Sequence, residues 1–138
     1  MRTSPLGSYI YSIKACFETL IEAGYSPETV LLELYASSEI VEVMKGVIEH
    51  GLFKQLNLHS PTSQYGQLTQ GKRLVTEETK AVLKEILNDI QTGKFMKEWS
   101  KEQSLGYPNF KNLKEESLKH PLNKFEEELM NFLMRIKK

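Results

Sequence analysis

At 138 residues the chain has the length of one domain, enough to bury a substantial core and too little for a second full domain. Lysine plus arginine and aspartate plus glutamate both number 18, which argues against a dominant surface for nucleic acid or an anionic membrane and leaves only a local patch hidden in the zero sum. The single Cys16 cannot form an internal disulfide; its apolar neighbours Ala15 and Phe17 predict a buried thiol, and this cysteine usage points to an intracellular, cytoplasmic protein.

Met1 to Gly7, which holds Pro5 and Gly7, reads as a flexible end, and the rest, residues 8–138, as a single helical domain. Lys14, Glu18 and Glu22 interrupt every apolar run near the N-terminus, so neither a signal peptide nor a membrane span is expected there. Ile10, Ile13, Phe17, Leu20 and Ile21 recur at helical spacing, and Gly24 predicts the stop. Ser26-Pro27-Glu28 then opens a second helix: a serine accepts from the free N–H groups of a first turn, proline is tolerated at N1, and a carboxylate suits the positive end of the dipole. The spacing of Val30, Leu31, Leu34, Val41, Met44, Val47 and Ile48 carries that helix to Glu49 with Gly51 as its end, so the first two helices form a hairpin. Glu33, between Leu32 and Leu34, and Glu39, before Ile40-Val41, are carboxylates expected to be drawn into apolar surroundings, where a cation or donors would have to satisfy them.

From Leu52 to Arg73 the period is lost among polar residues, Pro61, Gly66 and Gly71, which predicts a long connection pinned to the core by Tyr65. Thr76 caps the next helix, with Glu77 and Glu78 in its first turn, Val82, Leu83, Ile86, Leu87 and Ile90 on its buried face, and Gly93 beyond its end. Lys94 to Ser104 forms a short helix with Trp99 in the core, ended by Gly106 and the turn-like Tyr107-Pro108. From about Leu122 the last helix sets Leu122, Phe125, Leu129, Phe132, Leu133 and Ile136 on one stripe, with Arg135, Lys137 and Lys138 suiting its C-terminal dipole. No alternating β-branched run, repeat or low-complexity tract interrupts the series, and the fold class is all-α, a helical bundle.

Several phrases carry a resemblance: EAGYSPETVLLELYASSEIVEVM over 22–44, Glu49-His50-Gly51, Ser60, Tyr65-Gly66, TQGKRLVTEETKAVLKEILNDIQTGKFMKEW over 69–99, Tyr107-Pro108-Asn109-Phe110 and His120-Pro121. In this order and nearly this spacing they resemble the C-terminal knotted helical domain of ketol-acid reductoisomerases over almost the whole chain. The resemblance implies a domain that supplies carboxylates for two magnesium ions and a serine for the substrate, beside a separate Rossmann domain that binds NADPH. It sets Glu33 on the first metal-binding glutamate of this helix and Ser60 on the substrate-contacting serine. The second glutamate lies four residues after the first in the family, about 40° round an ideal helix, and here that position is Ser37. Counted back from Glu49, the chain carries two residues more than the family spacing, and absorbing them before Glu39 makes Glu39 the counterpart. An ideal helix puts Glu33 and Glu39 about 120° apart, so a shared ion requires a bulge or break at Ala36-Ser37-Ser38.

Oxygen ligands suit Mg²⁺, which in the family's reaction polarises the ketone and hydroxyl oxygens during alkyl migration and then aids reduction. No Gly-x-Gly-x-x-Gly follows a strand, so NADPH is not expected to bind this chain alone, and Met1 to Gly7 holds none of the acids of the family's upstream acidic phrase. Two readings stay open: the metal-site, substrate-site and dimerisation domain of a reductoisomerase of branched-chain amino-acid synthesis (isoleucine and valine), inactive alone, or a free-standing helical interaction protein that kept the fold and lost the chemistry. The resemblance also implies a homodimer. Leu31, Leu32, Leu34, Ile40, Val41, Val43 and Met44 independently cover more of the circumference than one partner helix can bury.

Overall fold

Helix α1, Thr3–Glu22, ends where Gly24 turns left-handed at φ 90°: Gly24 N–H donates to the Ile21 carbonyl at 2.9 Å and Tyr25 N–H to the Leu20 carbonyl at 3.1 Å. This pair of bonds closes the orphan carbonyls of a helix end, and glycine takes the left-handed position without a Cβ clash. In this computed structural model, which describes residues 3–136, the chain is already helical at Thr3, five residues before Ser8, while Met1 and Arg2 of the expected flexible end lie outside the described residues.

Ser26 caps α2, Pro27–Leu31, by accepting from Thr29 N–H at 3.3 Å, with Pro27 in the first turn. The single helix expected from Ser26 to Glu49 is divided. A π-helical turn occupies Leu32–Ala36, closed by Ser37 N–H on the Leu32 carbonyl at 3.3 Å, and Ser38 then takes φ 69° before α3, Glu39–His50. Two adjacent serines allow this: they place no apolar surface in the core and bond locally instead of continuing the ladder, as the Ser37 hydroxyl does toward Glu39 N–H at 3.5 Å. A left-handed non-glycine residue costs about 1–2 kcal/mol, and Ser38 caps nothing with its side chain. Ser38→Gly is therefore expected to stabilise the chain by about 1 kcal/mol after the unfolded-state cost of glycine, read as a higher urea midpoint at unchanged slope. A lower midpoint would show that Ser38 is not held in that conformation.

The core forms where α1, α2 and α8, Pro121–Ile136, meet: Phe17, Val30, Leu31 and Leu129 are buried, with Leu20, Ile21, Leu34, Tyr35, Leu122, Phe125 and Leu133 packed around them. The α1–α2 hairpin and most of the α8 stripe are as expected, except Phe132, which is exposed; the side chain of Ile136 lies outside the described residues. His120 joins α1 to the start of α8. Its Nδ1 accepts from Leu122 N–H at 3.2 Å, so Nε2 carries the hydrogen toward Glu18 Oε1 at 3.0 Å, and Lys14 with His120 holds the Glu18 carboxyl below its usual range.

A second cluster joins α3 to the 3₁₀ turn Lys54–Leu58. Gly46 allows the approach, because a Cβ there would lie 3.2 Å from Leu58 Cδ1 and 3.5 Å from Gln55 Cβ. The expected long connection is mostly helix α4, Pro61–Leu74: Ser60 and Pro61 supply an ordinary helix start, which Gly66, Gly71 and the lack of an apolar stripe disguise. Tyr65 is exposed on it and pins nothing. Thr76 and Thr79 form the reciprocal cap of α5, Glu77–Gln91, and Gly93 at φ 74° turns the chain into α6, Lys94–Ser104, both as expected. Beyond Gly106 a further helix, α7, Pro108–Leu118, replaces a simple turn, its N-terminal Asn109 and Phe110 N–H groups donating to Glu102 at 3.2 and 3.0 Å. Trp99 packs with Tyr107 and Phe110, ring centres 5.5 and 6.3 Å away, and is half-buried.

Much apolar surface stays open. Val82, Leu83 and Ile86, expected to be buried, are exposed on α5, and Cys16, expected inside, faces solvent on α1. Val82, Leu83 and Ile86 line an open groove of about 750 Å³ that Tyr11 of α1 and Phe95 of α6 also face, so neighbouring helices border this side without closing over it. The accessible surface is 11384 Å², whereas a compact monomer of 15.9 kDa exposes about 7,400 Å². Among the described residues there is no strand, and no helix is long and apolar enough to cross a membrane.

Candidate functional site

The sequence-predicted residues fall on three successive elements. Glu33 sits in the π-helical turn, Glu39 is the first residue of α3 just past the left-handed Ser38, and Ser60 caps α4. The break expected around Ala36-Ser37-Ser38 is therefore present between the two glutamates. The carboxylates themselves are exposed, which corrects the expectation that apolar surroundings enclose them; the bulge turns the apolar residues Leu34 and Tyr35 inward and leaves Glu33 outward. Among the described residues no ion pair or hydrogen bond ties up either carboxylate.

Ser60 is held by its own helix start: its hydroxyl oxygen accepts from Ser63 N–H at 3.3 Å, and the hydroxyl hydrogen is left to point elsewhere. Its neighbour His59 is fixed on both sides, with Nε2 2.7 Å from Oε1 of the buried Gln55 and the His59 carbonyl accepting from Gln64 Nε2 at 2.8 Å. Gln55 and Gln64 thus set the angle at which Ser60 leaves the 3₁₀ turn. No hydrogen bond joins Ser60 to Glu33 or Glu39 among the described residues, and none of these residues forms a group of three or more His, Cys, Asp or Glu able to hold a metal ion. A hard divalent cation is satisfied by one or two carboxylates together with water. Glu33 and Glu39 are exposed and unengaged among the described residues and offer oxygen donors of the type that suits such a cation.

Reading by spacing missed a second feature of this region. The Tyr35 hydroxyl donates to Glu126 Oε1 on α8, 91 residues away, and burial together with Glu126 pushes the Tyr35 phenol well above its ordinary range. Beside this pair a groove of about 770 Å³ runs between α1 and α8, lined by Ile10, Ile13, Tyr35, Ile40, His120 and Leu122. No local periodicity signals a contact between residues so far apart in the chain.

The family model described as ketol-acid reductoisomerase, C-terminal domain, matches residues 2–134. The chain belongs to this family. A putative ketol-acid reductoisomerase 3 of Saccharolobus solfataricus is 43% identical over 125 residues, which cover 90% of this chain and 37% of that protein. The ketol-acid reductoisomerase (NADP(+)) of Xylella fastidiosa is 38% identical over 117 residues, 85% of this chain and 33% of its own. The solved structure of an NADH-preferring ketol-acid reductoisomerase from an uncultured archean superposes with a TM-score of 0.82 at 28% identity, covering 91% of this chain and 37% of that one. The chain therefore has the all-α fold of the reductoisomerase C-terminal domain and spans about a third of the length of the relatives it matches.

Proposed function

We propose that the chain serves as the C-terminal metal-site, substrate-site and dimerisation domain of a ketol-acid reductoisomerase, in which 2-acetolactate undergoes Mg²⁺-dependent alkyl migration and NADPH-dependent reduction. The observation that carries this reading is the match to the family's C-terminal domain over residues 2–134, supported by two unengaged carboxylates on either side of the helix break. In the bound state Mg²⁺ supplies Lewis-acid polarisation of the substrate's oxygens. Glu33 and Glu39 offer oxygen ligands from this chain, and the Ser60 hydroxyl offers a hydrogen bond to a substrate oxygen. The sequence contains no dinucleotide fingerprint, so the hydride comes from a nucleotide held elsewhere.

The 138-residue chain by itself is expected to give no turnover of acetolactate with NADPH and Mg²⁺ above a no-protein blank, measured as loss of NADPH absorbance; turnover above the blank would reject this division of labour. The ligand role is tested without activity. Millimolar Mg²⁺ is expected to raise the melting temperature slightly through linkage, and Glu33→Gln to abolish the increment. Equal responses in both proteins would make Glu33 a surface group. Ser37, at the family's second glutamate position, favours the other reading, a helical assembly protein without chemistry, and that reading predicts no metal response in either protein.

A further inference from the structure

We propose that Tyr35 is a positioning residue: clasped to Glu126, it holds the π-helical turn that carries Glu33 and so sets the direction of that carboxylate relative to Glu39. The proposal rests on the metal-ligand reading of Glu33. Tyr35 is half-buried and packs with Leu34 and Ala36 against Phe17, Val30, Leu31 and Leu129, so the inner side of the turn Leu32–Ala36 is anchored to the core while Glu33 stays outside. Its hydroxyl donates to a half-buried carboxylate that no lysine or arginine pairs among the described residues. Hydrogen bonds to carboxylates are among the stronger ones in proteins, and this one crosses from the turn to α8.

The clasp matters because a π-turn has a ready competitor. With the extra residue expelled into Ser37-Ser38, the turn relaxes to an ordinary α-helix, and each residue of register shift rotates the following side chains by about 100°. Single π-turns persist where something holds them, often at functional sites. Here the core holds Leu34 and Ala36, and the Tyr35–Glu126 hydrogen bond adds a directional contact from the turn to α8.

Amide hydrogen exchange and Mn²⁺ binding on the whole chain test this, with free Mn²⁺ followed by its electron paramagnetic resonance. Tyr35→Phe and Glu126→Ala are each expected to speed exchange of amides in 32–39 by about tenfold, the factor for losing one such bond. Exchange elsewhere should stay unchanged, and Mn²⁺ affinity should fall several-fold. Glu126→Gln keeps an acceptor oxygen for the hydroxyl, though a weaker neutral one, and should restore both values in part. Unchanged exchange in Tyr35→Phe, or a rise spread over the whole chain, would overturn the clasp. Local loosening with unaltered Mn²⁺ affinity would overturn the positioning role. A wild-type chain that binds Mn²⁺ no better than Glu33→Gln would instead reject the metal reading on which the positioning role stands, while exchange still decides the clasp.

Discussion

Phe17→Ala is expected to lower stability by about 3–5 kcal/mol, measured as a fall in the urea midpoint. Phe17 is 2% exposed at the meeting point of α1, α2 and α8, with the His120 ring edge-on at 6.4 Å and the Phe125 ring at 6.3 Å. Its removal leaves a cavity that Val30, Leu31 and Leu129 cannot close without moving whole helices. A typical domain has only about 5–15 kcal/mol in hand, and few other side chains among the described residues are fully buried, so the loss is large relative to the whole. A drop below about 1 kcal/mol, the usual size of a surface substitution, would mean that the core lies elsewhere.

The second large effect concerns association. Light scattering at micromolar concentration is expected to return a homodimer, and Val41→Asp with Met44→Asp together to return a monomer. Val41, Met44 and Ile48 are 50%, 46% and 83% exposed along one side of α3, and Leu32 is 38% exposed just before it. The surface in excess of a compact monomer, roughly 4,000 Å² from the size relation, is several times the about 800 Å² per partner of an ordinary interface. A surface of that extent fits an obligate partner better than a transient one, and a second copy presents the same apolar faces in closed twofold symmetry. Because both substituted residues are already open to solvent, the paired aspartates leave the core of each chain intact and act on the interface. A monomeric wild type would refute the dimer, and a dimer indifferent to the two aspartates would place the interface elsewhere.

The sequence by itself determined the all-α class, the family resemblance and most helix starts and stops. The reason is local: Ser26 and Thr76 satisfy N–H groups within three residues, and Gly24 and Gly93 take left-handed turns that other residues resist. The helices α4 and α7 had equally local start signals in Ser60-Pro61 and Pro108, but no apolar stripe followed to mark them as helical. Of the candidate site, motif and spacing put forward Glu33, Glu39 and Ser60 and led to a break being expected between the glutamates, because two extra residues have to go somewhere. Only the tertiary structure decided that they go into a π-turn and a left-handed serine, that both carboxylates face outward, and that Glu126 reaches back across 91 residues to Tyr35. Burial was decided there too: periodicity tells which side of α5 is apolar, but whether Val82 and Leu83 are covered depends on what packs against them, and nothing within four residues of a side chain encodes that.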